Sequence, residues 1–324
     1  MGTAGVVVAE EQGDSLRELV ADEEVECLLE ALRKDFPHSV HIHNRIATQL
    51  RWRRQGDDQD VSIYRAADEG DRTEGPATAV SVWRVAGMTE VSVALHSTDP
   101  TLSALRRALR HSRHVPWHLP VNFESVHERC LPELMAAARQ HGDPAPRLNA
   151  THKMFMTREA ALKLDVSAVP GLVLRPLEPR HAKAVDDGWA YACPGSEGMF
   201  AAVLARNPGL SWGLFREEDA AVEDAAAGER GSGDREPVAL ILGTWYGGLG
   251  ILYTAASHRR RGLGELVTRA ASRALAQRGL DVHCNIVYPN PASAATLAKV
   301  GFERVCDCTW LHYKPPPSSP PPSR

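Results

Sequence analysis

Three arginines and two glycines stand close together in the second half of the chain, in the segment Arg259-Arg260-Arg261-Gly262-Leu263-Gly264. Because glycine has no Cβ, backbone N–H groups around Gly262 and Gly264 can close on an anion at the start of a helix, where free donors and the helix dipole favour negative charge. The guanidinium groups can add charge-assisted hydrogen bonds to phosphate oxygens. The segment therefore predicts a binding site for a pyrophosphate.

The neighbouring segments predict the elements that hold this loop. Two apolar runs at 237–245 and 249–254, separated by Gly247-Gly248, are typical of two strands joined by a tight hairpin. Apolar residues then recur at helical spacing from Leu263, and Gly279 stands where the helix should end. The predicted order is strand, anion loop, helix.

A strand, a helix and a final strand are predicted to follow. Residues 282–287 alternate between apolar and polar, as in a half-buried strand. Asn290 can cap the next helix, Gly301 can end it, and the last strand is predicted over 303–313.

Three motifs thus follow one another: Arg259-x-x-Gly262-x-Gly264, Asn290-x-x-Ser293 and Gly301-Phe302. Together they resemble the acyl-CoA-binding half of the GNAT acetyltransferase superfamily. The segment from Leu172 to Val185 resembles the first strand and helix of that fold. The resemblance covers residues 170–313 and is most specific over 250–302.

The resemblance implies an α/β fold with a mixed (α+β) sheet and a GNAT-type catalytic domain. It implies acyl-CoA as co-substrate, either acetyl-CoA or a longer or aromatic acyl-CoA, and no metal. The family pattern puts the cofactor-binding residues at Leu252, Tyr253, Thr254, Arg259, Arg260, Arg261, Gly262, Leu263, Gly264, Glu265, Asn290 and Ser293.

Within the superfamily, the chain is most similar to glycine N-acyltransferase-like proteins. The likeness rests on Trp189 shortly before Ser196-Glu197 and on the long region that precedes this half. It implies that Glu197 is the general base. The alternative interpretation is a first-turn glutamate favoured by the helix dipole.

Other residues of the expected cleft depart from the family pattern or are ambiguous. Many members carry a tyrosine where this chain has Leu297, so a tyrosine acid is missing from its usual place. On the strand 282–287, His283 and Asn285 share one face, which is a candidate lining of the acceptor pocket. Cys284 faces the other side and is expected to be buried.

Three functions are compatible with these features. The first is an N-acyltransferase that moves an acyl group from acyl-CoA to glycine or another small amino acid or amine. The second is a protein or peptide N-acetyltransferase on the same fold. The third is a non-catalytic CoA-binding interaction protein.

Composition limits the partners and the compartment. The chain has 324 residues, a net charge of −4 and a pI of about 6.4, which argues against affinity of the whole chain for nucleic acid. We predict no membrane association, because no stretch approaches the ~18 apolar residues of a transmembrane helix. The expected location is intracellular, either cytoplasmic or mitochondrial.

The six cysteines are spread along a chain too long to need disulfide staples, so reduced thiols are expected. Cys306 and Cys308 would share one face of a strand, where packing is favoured over metal binding. Two histidine clusters are expected at the surface: His38, His41 and His43, and His111, His114 and His118.

The domain prediction has three parts. Residues 1–165 form an α/β domain without a phosphate loop, compatible with a degenerate copy of the catalytic domain. Its predicted elements are a helix over 16–36, strands at 61–64, 79–83 and 90–95, and later helices at 100–111 and 131–139. Residues 166–314 form the catalytic domain with a mobile acidic insertion at 216–236. Residues 315–324 form a disordered proline-rich tail, with weak docking to a partner as an alternative role.

Overall fold

The computed structural model describes residues 13–57, 60–167, 169–217 and 236–317. The predicted acidic insertion lies outside the described residues except at 216–217 and 236. The predicted tail lies outside them beyond residue 317.

Twelve strands of the described residues form one mixed sheet in the order β1-β2-β3-β4-β5-β12-β6-β11-β10-β9-β8-β7. The strands are β1 (Leu16–Glu18), β2 (Val61–Ala66), β3 (Thr78–Trp83), β4 (Val91–Ser97), β5 (Val121–His127), β6 (Arg147–Met156), β7 (Leu172–Pro176), β8 (Trp212–Arg216), β9 (Ala239–Gly243), β10 (Leu249–Thr254), β11 (Val282–Val287) and β12 (Glu303–Tyr313).

Helices cover both faces of the sheet. They are α1 (Asp22–Arg33), α2 (Val40–Arg54), α3 (Ser103–His111), α4 (Leu131–Gln140), α5 (Arg158–Leu162), α6 (Ala182–Asp187), α7 (Ser196–Arg206), α8 (Leu263–Gln277) and α9 (Pro291–Val300). Alternate residues of β9 show the two faces: Leu240 and Leu242 pack with α6 and α7, whereas Ala239 and Ile241 pack with α8. We call the face that carries α1, α2, α6 and α7 face A, and the face that carries α3, α4, α8 and α9 face B.

The two halves of the chain repeat one element order. Residues 13–165, the N-terminal half, run β1-α1-α2-β2-β3-β4-α3-β5-α4-β6 before the short helix α5. Residues 166–317, the C-terminal half, run β7-α6-α7-β8-β9-β10-α8-β11-α9-β12. This repetition confirms the predicted second α/β domain of similar architecture.

The halves exchange their last strands. β6 of the N-terminal half pairs with β11 from Val282↔Met156 to Val287↔Thr151, and β12 of the C-terminal half pairs with β5. β6 and β12 also pair with each other along most of their length. Each half therefore completes the sheet of the other.

Several predictions for the N-terminal half were wrong in part. Leu16–Glu18 is a strand rather than the start of a helix, because it pairs antiparallel with β2, and the helix begins only at Asp22. Helix α2 and strand β5 were not predicted. His41 and His43, expected at the surface, are buried in α2, with 3% and 7% of their surface exposed. The predicted elements from β9 to β12 are confirmed near their expected bounds.

Among the residues described, helices long and apolar enough to cross a lipid bilayer are absent.

Candidate functional site

The central feature of the C-terminal half is a cleft between β10 and β11. The two strands run parallel, but the only residues in register are Leu249 and Cys284, at the start of the pair. Beyond that point the strands diverge towards Thr254 and Val287. Backbone N–H and C=O groups that face the cleft are therefore available to a bound molecule.

Strand β10 is irregular where it borders the cleft. Its pairing with β9 shifts register between Gly250 and Tyr253, and Ile251 has a φ of 52°. A bulky residue with positive φ is rare and rotates the adjoining peptide groups out of the ladder. Gly250 is one residue beyond the Leu249–Cys284 pair and is therefore level with Asn285 on β11.

The predicted anion loop lies at the open end of this cleft. Gly262 has a φ of 76°, Arg260 has a φ of 61°, and no side chain of the described residues caps α8. The side chains of Arg260 and Arg261 have no ion pair or hydrogen bond with a described residue, while Arg259 Nε donates to Thr254 O at 3.0 Å. The start of α8 thus combines free N–H donors with two uncommitted guanidinium groups.

Gly264 brings the helix start close to the strand. A Cβ built on Gly264 would lie 3.5 Å from Thr254 Oγ1 and 3.8 Å from Leu252 Cδ1 and Thr296 Cγ2, which are ordinary contacts. Leu252 and Thr254 therefore border the same channel as the anion loop. Tyr253 points to face A, where it packs against Gly188.

The other predicted binding residues have partners within the protein. Leu263 is buried, and Glu265 forms an ion pair with Lys299 at 3.2 Å, which leaves its backbone N–H for an anion. Asn290 Oδ1 accepts a hydrogen bond from Ser293 N at 3.1 Å, so this pair caps α9. Leu297, which replaces the family tyrosine, is buried in the core on face B.

The equivalent helix start in the N-terminal half is already occupied by a carboxylate. Asp99 accepts hydrogen bonds from the backbone N–H groups of Thr101 at 2.8 Å and Ser103 at 3.0 Å, and from both hydroxyls. The donors that could bind a phosphate at α3 are thus used internally.

The N-terminal half covers face A next to the cleft. The loop before α7 lies directly against the β3–β4 loop. The approach is so close that a Cβ on Gly195 would collide with the carbonyl oxygen of Gly87. Trp189, Ile251 and Tyr253 pack in the same apolar cluster as Met88 from that loop. Residues of both halves therefore border face A of the cleft.

Glu197, the predicted base, lies exposed in the first turn of α7. The neighbouring Ser196 is buried and its hydroxyl donates to Cys193 O at 2.7 Å, which fixes the start of the helix. The role of Glu197 stays a prediction.

A buried polar group joins the two halves on face A. We call it the junction cluster; it consists of His41 and Asn44 from α2, Lys153 from β6, and His283 and Asn285 from β11. Asn44 Nδ2 donates to Asp281 O at 2.7 Å and to Gly247 O at 3.1 Å. His41 Nδ1 and His283 Nε2 are 3.3 Å apart.

Burial lowers the pKa of both His41 and His283 well below the ordinary histidine value, and the nearby charge of Lys153 adds to the effect. Both imidazoles are therefore neutral at physiological pH. Alternation along β11 correctly placed His283 and Asn285 on one face and buried Cys284 on the other. The partners on α2 and β6 could not be found from local spacing, because they lie more than a hundred residues away.

The residues His38, His127 and Cys306 bring ligand-type atoms within 4.8 Å of one another. However, the backbone N–H of Arg129 donates to Nδ1 of His127 at 3.0 Å, so the proton of this ring is on Nε2, which faces His38 Nδ1 at 3.1 Å. A nitrogen that carries a proton cannot bind a metal ion. The set is better explained by hydrogen bonding.

The thiols of Cys306 and Cys308 are free, buried and 3.8 Å apart. The hydrogen bond between the two thiols lowers the pKa of Cys308 and raises that of Cys306.

Comparison with known proteins shows what the chain is similar to. The family model described as FR47-like protein matches residues 230–311. A search of curated proteins finds no match to the sequence. A solved Drosophila protein from structural genomics is similar at 26% identity with a TM-score of 0.76, over 94% of this chain and 99% of that one.

A GCN5-related N-acetyltransferase from Sphaerobacter thermophilus has the same fold at 16% identity and a TM-score of 0.51, over 93% of this chain and 95% of that one. The similarity extends over both halves, so the tandem arrangement is shared. The C-terminal half is thus similar to the FR47-like family over residues 230–311, and the chain has the fold of a GCN5-related N-acetyltransferase.

Proposed function

We propose that the protein is an N-acyltransferase that moves an acyl group from acyl-CoA to the amine of glycine or another small amino acid or amine. The observation that carries the proposal is the divergence of β10 and β11 beside the uncapped start of α8. The choice of acceptor rests on the resemblance to the glycine N-acyltransferase-like proteins.

The donor is bound through backbone groups and arginines. The N–H groups at the start of α8, with Arg260 and Arg261, hold the pyrophosphate of CoA. The pantetheine arm then passes Gly264, Leu252 and Thr254 into the cleft, where free backbone groups of β10 are its hydrogen-bond partners. The thioester thereby reaches the irregular part of β10 around Ile251.

Transfer is direct from thioester to amine. A base removes a proton from the acceptor ammonium, and the free amine attacks the thioester carbonyl. A rotated N–H of β10 donates to the carbonyl oxygen as negative charge develops on it. The C–S bond then breaks, the nitrogen gives up its remaining extra proton, and the departing CoA thiolate takes up this proton, which needs little help because a thiol pKa is about 8.5.

Glu197 is the proposed base, on the resemblance to the glycine N-acyltransferase-like family. Its exposed position allows proton exchange with solvent. In this scheme it acts on the acceptor from the side of α7, directly or through one water molecule.

The enclosed face A favours a small acceptor over a protein. Contact between the Gly195 and Gly87 loops leaves the acceptor side bounded by both halves. A folded protein or a long peptide would need an open groove at this position.

The proposal is tested by the release of free thiol from acetyl-, benzoyl- and longer acyl-CoAs in the presence of a panel of amino acids and amines. We expect amine-dependent thiol release with at least one small acceptor. Binding of CoA without turnover on any amine would leave only the non-catalytic alternative. Turnover on peptides alone would favour the second alternative.

The role of Glu197 is tested with Glu197→Gln. We expect the largest loss of kcat at low pH, where the acceptor amine is protonated, and partial recovery at high pH, with CoA affinity unchanged. Glu159→Gln is a matched control, because Glu159 is also an exposed glutamate in the first turn of a helix, α5. A pH profile for Glu197→Gln that matches the control would remove Glu197 from the mechanism.

A further inference from the structure

Lys153 is a buried cation that has no carboxylate partner among the described residues. Only 1% of its surface is exposed, and it forms no ion pair with any residue that the structure describes. Its single hydrogen bond runs from Nζ to the backbone oxygen of His38 at 2.8 Å. Burial of a charge is costly unless it is compensated, so an ammonium group with two unused N–H donors calls for an anion.

Two further buried donors close to Lys153 are also unused. His41 Nε2 and Asn285 Nδ2 have no hydrogen-bond partner among the described residues. His283 Nδ1 faces Asn44 Nδ2 at 3.3 Å, so His283 carries its proton on Nε2 and donates to His41 Nδ1. The proton of His41 is consequently on Nε2, the nitrogen without a partner.

The carboxylate of Glu124, which lies beside His41, cannot satisfy these donors. Glu124 Oε2 is 3.9 Å from His41 Nε2, which is too long for a hydrogen bond. Its two oxygens already accept from Arg45 at 2.5 Å, Ser92 at 2.6 Å and Trp245 at 3.0 and 3.1 Å. Because Arg45 already pairs with Glu124, this carboxylate does not act as the counterion of Lys153.

The unused donors lie beside the cleft. Lys153 is the register partner of Asn285, so both side chains leave the sheet on face A. Asn285 is in turn level with Gly250, in the irregular part of β10. The proposed function puts the thioester at this part of the strand. Asn285 Oδ1 accepts from Ser125 Oγ at 2.9 Å, which orients its amide group.

We infer that Lys153, His41 and Asn285 form a binding site for the carboxylate of the acceptor, with the cation supplied by the N-terminal half. The inference rests on the proposed function and adds the specificity residues to it. A carboxylate offers two acceptor oxygens to donors on both sides, and an amine one carbon away would stand near the thioester. The N-terminal half, which has no phosphate loop of its own, thus selects the acceptor.

The site is tested by comparing glycine with glycinamide, which has the same amine but no negative charge. For the wild-type chain we expect kcat/KM for glycine to exceed that for glycinamide by about tenfold or more. Lys153→Met should raise KM for glycine by a similar factor, leave its kcat and the kinetics of glycinamide nearly unchanged, and so abolish the preference. Lys153→Arg should restore part of it.

Lys163→Met is the matched control, because Lys163 is exposed at the end of α5. If Lys153→Met does not fold, the Asn285→Asp variant tests the site instead. This substitution keeps the side-chain size and replaces a hydrogen-bond donor by a negative charge. It should raise KM for glycine and spare glycinamide.

A glycine preference that persists in the folded Lys153→Met or Asn285→Asp variant would overturn the site alone. Equal use of glycine and glycinamide by the wild-type chain would do the same. Failure of the wild-type chain to acylate any amine would overturn the proposed function together with this site.

Discussion

At the scale of residues, Gly264 is the position where the donor site can be probed without disturbing the fold. Its Cβ would make only ordinary contacts at 3.5 to 3.8 Å in the free protein. We therefore expect Gly264→Leu to keep its thermal stability and to lose about tenfold or more in CoA affinity, because the side chain enters the channel beside the anion loop. Calorimetric titration with CoA, together with a melting curve, measures both.

Gly198→Leu is the control for this change, since a Cβ there meets nothing within 4 Å. Unaltered CoA affinity in the Gly264 variant would contradict the placement of the pyrophosphate.

Single residues also show how far sequence reasoning reaches. The start of α8 after Gly262 and the cap formed by Asn290 and Ser293 could be predicted, because they depend on neighbours within a few positions. His41 and Lys153 could not be assigned, because their surroundings come from strand exchange between distant segments. Leu297 stands where many family members have a tyrosine, so the sequence predicts that a tyrosine acid is missing at this position. The structure shows that Leu297 is buried and packs in the core.

At the scale of elements, α3 and α8 occupy equivalent positions but start differently. Asp99 caps α3 with its carboxylate, whereas the start of α8 is left open. We expect Asp99→Ala to lower the free energy of unfolding by about 1–2 kcal/mol, because backbone donors at the helix start lose their acceptor. Urea unfolding measures this, with exposed Asp165→Ala as the control. A stability equal to that of the control would show that the carboxylate does not hold the helix start.

Helix α2 shows why an element can escape prediction. It buries His41, Asn44, Arg45 and Gln49 as well as its apolar residues, because it lies between the sheet and the C-terminal half. A helix buried on most sides has no polar stripe, so the usual 3.6-residue pattern is absent. By contrast, α8 keeps its small and apolar residues on the buried side and was predicted correctly.

At the scale of the whole molecule, strand exchange should make the two halves unfold together. Removal of residues 1–165 would take β6 away from both β11 and β12. We expect a single urea transition that coincides by tryptophan fluorescence and far-ultraviolet circular dichroism. We also expect residues 166–324 alone to lack cooperative unfolding. Two separate transitions, or a stable isolated C-terminal half, would contradict the exchange.

The junction of the halves also bears on the proposed function, because the proposed anion loop lies in one half and Lys153 lies in the other. The most direct test of acyl transfer is to incubate the full chain with acyl-CoA and nitrogen-15-labelled glycine, and to analyse the products by mass spectrometry. We predict an N-acylglycine that carries the label and increases in step with free CoA. Release of CoA with only the free acid as product, or no release at all, would contradict the account.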